Sequence, residues 1–190
     1  MRSITVSLAA AATALGLAVS PALADGHLEA EQKRGEIYRA PIPGSDFPIS
    51  IAVQVPPSAE ILYVSGVTPG IIDAEADPNS RAAYGDTKAQ TVTVLTRMKE
   101  RMESLGWSLS DIVMMRFYLV ADEDSGDRLD FRGFMEGYSQ FFGTEDQPNK
   151  PARAVMQVAE LIRPGWRVEI EAQAARMPKS KAMKKKDGED

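Results

Sequence analysis

The chain has 190 residues, 44% of them apolar and 26% charged, with no Cys and a single His, the balance of one folded soluble domain. Without Cys there is no disulfide frame, thiolate nucleophile or thiolate metal site. His27 alone, near the N-terminus, excludes a multi-His zinc site and argues against a His-based triad.

Residues 1–24 read as a secretory signal peptide. Arg2 is the only charge, Ile4 to Val19 is apolar, and Pro21-Ala22-Leu23-Ala24 offers an Ala-x-Ala cleavage site before Asp25. The apolar run is shorter than the roughly 20 residues of a membrane span. This reading places the mature chain in a periplasm or outside the cell, free of the membrane after cleavage. A chain of roughly 150 residues buries about two thirds of its surface without disulfide help. The formal net charge is −5, but Arg2 and a tail with six basic and three acidic residues (Arg176 to Asp190) leave −9 on the body from Asp25 to Ala175. Such a body repels phosphate backbones, so nucleic acid is not an expected partner.

Residues 25–46 hold a polar lead-in from Asp25 to Arg34, with His27 in it, and a first strand over Ile37 to Ala40. Ser50 to Val55 is a second strand, stopped by Pro56-Pro57-Ser58, and Glu60 to Ser65 a third, closed by Gly66. The stretch from Val67 to Gly85, with turn signals at Pro69-Gly70 and Asp77-Pro78-Asn79-Ser80, is long enough to border a site. Asp86 caps a predicted helix from Thr87 to Leu105, whose apolar stripe is Ala89, Val92, Leu95, Met98, Met102 and Leu105, with Gly106 as its stop. Ile112 to Val120 reads as a strand buried on both faces apart from Arg116. The next predicted helix runs from Asp127 to Phe142, with an aromatic core face of Phe131, Phe134, Met135, Tyr138, Phe141 and Phe142. Ala152 to Val158 and Arg167 to Ala174 form a last pair of strands joined by a turn at Arg163-Pro164-Gly165. The order β-β-β-α-β-α-β-β gives an α+β domain with the helices on one face of a mixed sheet. Strands apolar on both faces in so small a chain imply that another subunit covers the second face. The residues after Ala175 form a basic, disordered tail.

Asp122-Glu123-Asp124-Ser125-Gly126-Asp127 is the densest acidic cluster. It fails the calcium-loop pattern, with Gly at the fifth position and Gly133 in place of the closing Glu, and reads as a solvated turn. Pro151-Ala152-Arg153 is more informative. An Arg at the start of an apolar strand needs a partner, and its planar fork fits a carboxylate through two parallel hydrogen bonds. Glu169, on the strand taken to be its neighbour, is either that partner in a structural ion pair or a proton-handling group facing the same cavity.

The chain from about Phe47 to residue 175 resembles the Rid family of reactive-intermediate deaminases, formerly named YjgF. The resemblance rests on Phe47-Pro48-Ile49-Ser50-Ile51-Ala52-Val53, on Tyr63-Val64-Ser65-Gly66-Val67-Thr68-Pro69, and on Gly85-Asp86 leading to Ala89-Gln90. It rests above all on Pro151-Ala152-Arg153-Ala154-Val155 and Val168-Glu169-Ile170-Glu171-Ala172. It implies a chorismate-mutase-like fold, a homotrimer with ligand pockets between subunits, and hydrolysis of small enamines and imines such as 2-aminoacrylate or 2-iminopropanoate to a keto acid and ammonia. No cofactor or metal is implied. By position, Arg153 matches the arginine that holds the substrate carboxylate, Glu169 the glutamate that positions water and handles protons, and Ser65 and Gly66 the pocket wall. Ile49 stands where active members have Tyr, Met135 where they commonly have Asn, and Val155 where several have Cys. All three changes replace a polar group by an apolar one, which argues for a bulkier or more apolar ligand. Two function classes follow: a secreted imine deaminase, or a trimer without catalysis that binds small carboxylates or protein partners. Ribonuclease activity, also attached to this family, is opposed by the acidic body and the absence of a His to serve an active site.

Overall fold

The computed structural model describes residues 35–178. The leader with its cleavage site, His27 and the basic tail past Pro178 lie outside the described residues. Strands β1 (Tyr38–Pro41) and β2 (Ser50–Gln54) pair as an antiparallel ribbon. Strands β3 (Glu60–Val67), β4 (Ile112–Val120), β5 (Ala152–Val158) and β6 (Val168–Arg176) form a four-stranded sheet in the order β3-β6-β4-β5. Helices α1 (Thr87–Ser104) and α2 (Phe131–Tyr138) supply the other half of the core. This is the α+β arrangement of two helices and a mixed sheet that the sequence implied.

Period-two alternation sets the sheet faces. In β4, Met115, Phe117 and Leu119 are buried among the helix residues, as are Val168, Ile170, Ala172 and Ala174 of β6. Met114, Arg116, Tyr118 and Val120, with Glu169, Glu171 and Gln173, point to the other face and are only half-buried. There the Arg116 guanidinium donates to Glu171 Oε1 at 2.8 Å. Burial, then the hydrogen bond to Glu171, holds the Tyr118 hydroxyl above its ordinary pKa.

Helix α1 starts where Asp86 accepts from the Ala89 N–H at 2.8 Å, a cap of about 1 kcal/mol. Its buried face is rotated from the apolar stripe. Thr87, Gln90 and Thr91 are buried with Val94, Leu95, Met98 and Met102, whereas Leu105 is exposed and Ala89 and Val92 are half-buried. Counting apolar residues misses this because the buried polar groups are satisfied internally. Gln90 donates to Gly85 O and Gly165 O, both at 3.0 Å, and accepts from the Arg167 N–H at 2.6 Å, stapling the segment before β6 to the helix.

Helix α2 is shorter than the predicted span. Asp127 sits at φ 59°, outside helical geometry, and Asp130 caps the helix instead, accepting from the Gly133 N–H at 2.8 Å. Phe134 and Tyr138 pack edge-on against Phe117, at ring separations of 4.7 and 5.7 Å, while Phe131 is exposed. The acidic cluster is an exposed turn, as expected, except at Asp122. Asp122 is buried, accepting from Arg81 Nη1 at 2.8 Å and from Thr87 Oγ1 at 3.4 Å, and Arg81 Nη2 reaches Asp124 at 2.6 Å. Asp122 and Asp124 form one half of an ion-pair clamp between the 67–85 segment and the end of β4.

The last two strands are not neighbours. β5 pairs with β4 in parallel and β6 inserts between β3 and β4, so the 159–167 connection crosses over β4. Arg176, placed in the tail by composition, belongs to β6, where it donates to Glu60 at 2.8 Å and lies 4.0 Å over the Trp107 ring.

Candidate functional site

Arg153 enters the helix-covered side of the sheet. It pairs with Met115 in the parallel ladder, and ladder partners share a face. The guanidinium carbon lies 4.4 Å from the ring centre of Tyr138, 5.1 Å from Phe134 and 5.4 Å from Phe47. Its Nη1 donates to Met135 Sδ at 3.3 Å. Among the described residues no carboxylate is paired with it. Burial pulls its pKa below the ordinary value, with the Tyr138 hydroxyl opposing. The protein thus holds a desolvated cation in a box of rings and a thioether with no counter-ion from its own described chain, an arrangement that favours an incoming anion. The fork geometry of the guanidinium makes that anion a carboxylate by preference.

The ribbon builds one wall of this box. Arg39 ties β1 to the main body, donating to Ile112 O at 2.8 Å and Ser110 O at 3.0 Å. Ser50 bonds the Pro151 and Lys150 carbonyls, through its N–H at 2.9 Å and its hydroxyl at 2.6 Å. Between those anchors runs Phe47-Pro48-Ile49, and Pro48 O accepts from the Tyr138 hydroxyl at 2.9 Å. Burial holds that hydroxyl far above its ordinary pKa, so it remains a neutral donor. Met135 and Val155 therefore come from α2 and β5 to the neighbourhood of Arg153, Val155 lying two residues along the same strand face and packing on the core, while Ile49 follows Phe47 and Pro48 in the link to β2, its N–H donating to Phe47 O at 2.8 Å.

Glu169 is elsewhere. It pairs with Tyr118, on the face opposite that of Met115 and Arg153. Strand β4 separates the two elements, which removes the structural Arg153–Glu169 ion pair within one chain. What Glu169 does meet is Gly66. A Cβ built on Gly66 would clash with Glu169 Oε1, so only glycine leaves the carboxylate its place. Gly66 does not end β3 but lies within it, in a bulge: the register slips between Val64 and Val67, so that Ser65 and Gly66 together oppose Glu171. Two arginines of α1 brace this segment. Arg101 Nη1 lies 3.4 Å from both Ser65 O and Gly66 O, and Arg97 Nη1 donates to Thr68 O at 2.5 Å and Pro69 O at 2.9 Å. Of the residues singled out in the sequence, Met135 and Val155 thus lie with Arg153 on the helix-covered side, while Gly66, next to Ser65 in the bulge, lies against Glu169 on the opposite face.

Sequence reading missed the aromatic walls, because Phe134 and Tyr138 at helical spacing read as core, which they also are. It missed Arg97 and Arg101 because two arginines on a helix carry no signal until the loop they hold is seen. Among the described residues no group of three or more acidic side chains or His comes together to hold a metal ion.

A family model described as endoribonuclease L-PSP matches residues 45–176, from before the ribbon's second strand to the end of β6. The chain belongs to this family, the Rid or YjgF proteins. A RutC family protein of Saccharolobus solfataricus is 34% identical over 117 residues, 61% of this chain and 78% of that protein. The 3-aminoacrylate deaminase RutC of Acinetobacter baylyi is 30% identical over 128 residues, 67% of this chain and 88% of that protein. Among solved structures, a Rid family protein of unknown function from Yersinia pestis is 25% identical, covers 70% of this chain and 91% of its own, and superposes with a TM-score of 0.54. The Rid match spans both groups of residues, from Phe47 to Glu169.

Proposed function

We propose that the protein is a Rid-type 2-imino acid deaminase whose active site forms between two subunits, Arg153 coming from one copy and Glu169 with Ser65 and Gly66 from the next. The observation that carries this reading is the uncompensated Arg153 cation in its aromatic box, on the opposite sheet face from a Glu carboxylate seated over a glycine. Neither half is a site by itself, and a ring of copies joins them without asking a chain to fold back on itself. The sheet face of half-buried Met114 and Tyr118 and exposed Met156, interrupted by the Arg116–Glu171 pair, supports such an assembly. A relative named as a 3-aminoacrylate deaminase supports the reaction class.

In this reading Arg153 fixes the substrate carboxylate and so aims the imine carbon. Glu169 accepts a proton from a water as its oxygen bonds to that carbon, giving a carbinolamine. That proton passes to nitrogen, and as the C–N bond breaks the carbinolamine hydroxyl gives its own proton, by way of Glu169, to the departing nitrogen and becomes the C=O, so that one imino acid plus one water become one 2-keto acid and one ammonia. The imine carbon is already electrophilic, so general-base help and positioning are the contributions asked of the protein. We also infer export, from the charge-free apolar run and Ala-x-Ala site of residues 1–24.

The test uses imino acids generated in place by an amino-acid oxidase, with release of keto acid followed against the spontaneous rate. Wild-type protein accelerates release, and Glu169→Gln, which keeps shape but cannot take a proton, lowers the acceleration by about 10²–10⁴-fold while 2-ketobutyrate still binds. A wild-type rate equal to background would overturn the reading in favour of a binding protein.

A further inference from the structure

Deepening the deaminase reading, and resting on it, we propose that the substrates of this site are 2-imino acids with an apolar side chain of three or more carbons, branched or aromatic, rather than the smallest or the polar ones. Apart from the guanidinium fork that takes the carboxylate, the side chains around Arg153 offer a ligand no free donor. The Tyr138 hydroxyl donates to Pro48 O at 2.9 Å, and one guanidinium N–H is directed at Met135 Sδ at 3.3 Å. On the Arg153 half of the site, what remains to receive the rest of a ligand is carbon and sulfur: the exposed part of the Phe47 ring and the partly buried side chains of Met135 and Val155, with the buried rings of Phe134 and Tyr138 behind them.

Two of the aromatic rings in this region keep an exposed surface. Phe47, one wall of the guanidinium box, is 37% exposed, and Phe131, whose ring lies 5.9 Å from that of Phe134, is 44% exposed. Apolar surface therefore continues outward from the cation to solvent. A ligand methylene laid on it leaves water at a gain, whereas a hydroxyl or second carboxylate leaves water with no donor to replace it. Met135 is the residue that decides the sign. Its thioether is a weak acceptor and no donor, and it fills space beside the cation with polarizable, flexible surface suited to irregular hydrocarbon shapes. The class of reaction that must supply such substrates is oxidation of the α-amino group of apolar amino acids, since elimination from short hydroxylated or thiolated ones yields only the three- and four-carbon enamines.

The 2-keto acid products serve as stable probes. Calorimetric titration of the full-length processed protein with pyruvate, 2-ketobutyrate, 4-methyl-2-oxopentanoate and phenylpyruvate is expected to show affinity rising by about fourfold per added methylene. The polar probes 3-hydroxypyruvate and 2-ketoglutarate are expected to bind no better than pyruvate. Met135→Asn is expected to flatten the series and to raise the affinity for 3-hydroxypyruvate relative to 2-ketobutyrate. Keto acids that bind with pyruvate equal to or tighter than 4-methyl-2-oxopentanoate would overturn the inference and leave the deaminase reading standing. Absence of binding by every keto acid would overturn both. The wild-type series decides the matter even if Met135→Asn fails to fold.

Discussion

Replacing Gly66 by Ala separates the placing of a carboxylate from the stability of the fold. A Cβ at this position clashes with Glu169 Oε1 and lies 3.2 Å from Glu169 Cδ, and its three nearest atoms all belong to the Glu169 side chain. Gly66 does not occupy the left-handed region, so alanine meets no backbone strain there. The obstacle is the end of a flexible, half-exposed side chain, which turns away at a cost of about 0.5–1.5 kcal/mol for a displaced rotamer. Loss of chain entropy in the unfolded state offsets about 0.4–1 kcal/mol of that. The net change lies within about 1 kcal/mol, a shift of about 2–4 °C in Tm for a chain of this size. The effect on chemistry is of a different order. With the carboxylate swung off the bulge, Gly66→Ala should lose about as much activity as Glu169→Gln, about 10²–10⁴-fold. Because both changes disable the same group, the double variant Gly66→Ala, Glu169→Gln should be no worse than either alone. The assay is keto acid release from oxidase-generated imino acids, with thermal melts run on the same preparations. Full activity in Gly66→Ala, or losses that multiply in the double variant, would show that Glu169 does not act from its seat over Gly66.

Two further outcomes follow from the same structure. Arg153→Lys keeps the charge but not the fork, and should weaken 2-ketobutyrate binding by about 10- to 100-fold, corresponding to about 1.5–3 kcal/mol, with little change in Tm, since no described carboxylate depends on Arg153; equal affinity in calorimetry would make Arg153 a purely structural residue. Tyr138, whose pKa burial raises above its ordinary 10.0, holds its proton in the folded state when the unfolded chain has lost it. Its contribution is therefore complete below pH 10 and declines as pH rises beyond it, and Tyr138→Phe should reduce that decline between urea midpoints taken at pH 9 and pH 11, whereas an unchanged slope would place the alkaline sensitivity elsewhere.

The parts of the fold that the sequence made legible were those with a local physical cause. Asp86 and Gly106 bracket a helix because a carboxylate caps the first turn and a glycine tolerates the left-handed stop, and the structure keeps both at those places. The alternation in Val168-Glu169-Ile170-Glu171-Ala172 assigned faces correctly within β6. What it did not carry was which strand lies beside which. Pairing β5 with β6 followed from their closeness in sequence, but a parallel partner for β5 and the insertion of β6 beside β3 are decided by long-range contacts that no local pattern encodes. That one topological fact moves Glu169 from beside Arg153 to the opposite face of the sheet. The buried Gln90 and Asp122 were illegible for a related reason, since their partners, the Gly165 carbonyl and Arg81, are distant in sequence. The fork of Arg153 and the carboxylate of Glu169 were legible residue by residue, whereas their separation was not.

Mixing two inactive variants tests the shared site directly. Arg153→Met removes one half-site and Glu169→Gln the other, and each protein alone should be inactive. When subunits are exchanged by co-expression or joint refolding, random assembly of a ring places an intact Arg153 against an intact Glu169 at one interface in four, so activity should return to about a quarter of the wild-type value. Mixtures no more active than the two parents would contradict a site built between copies of the chain.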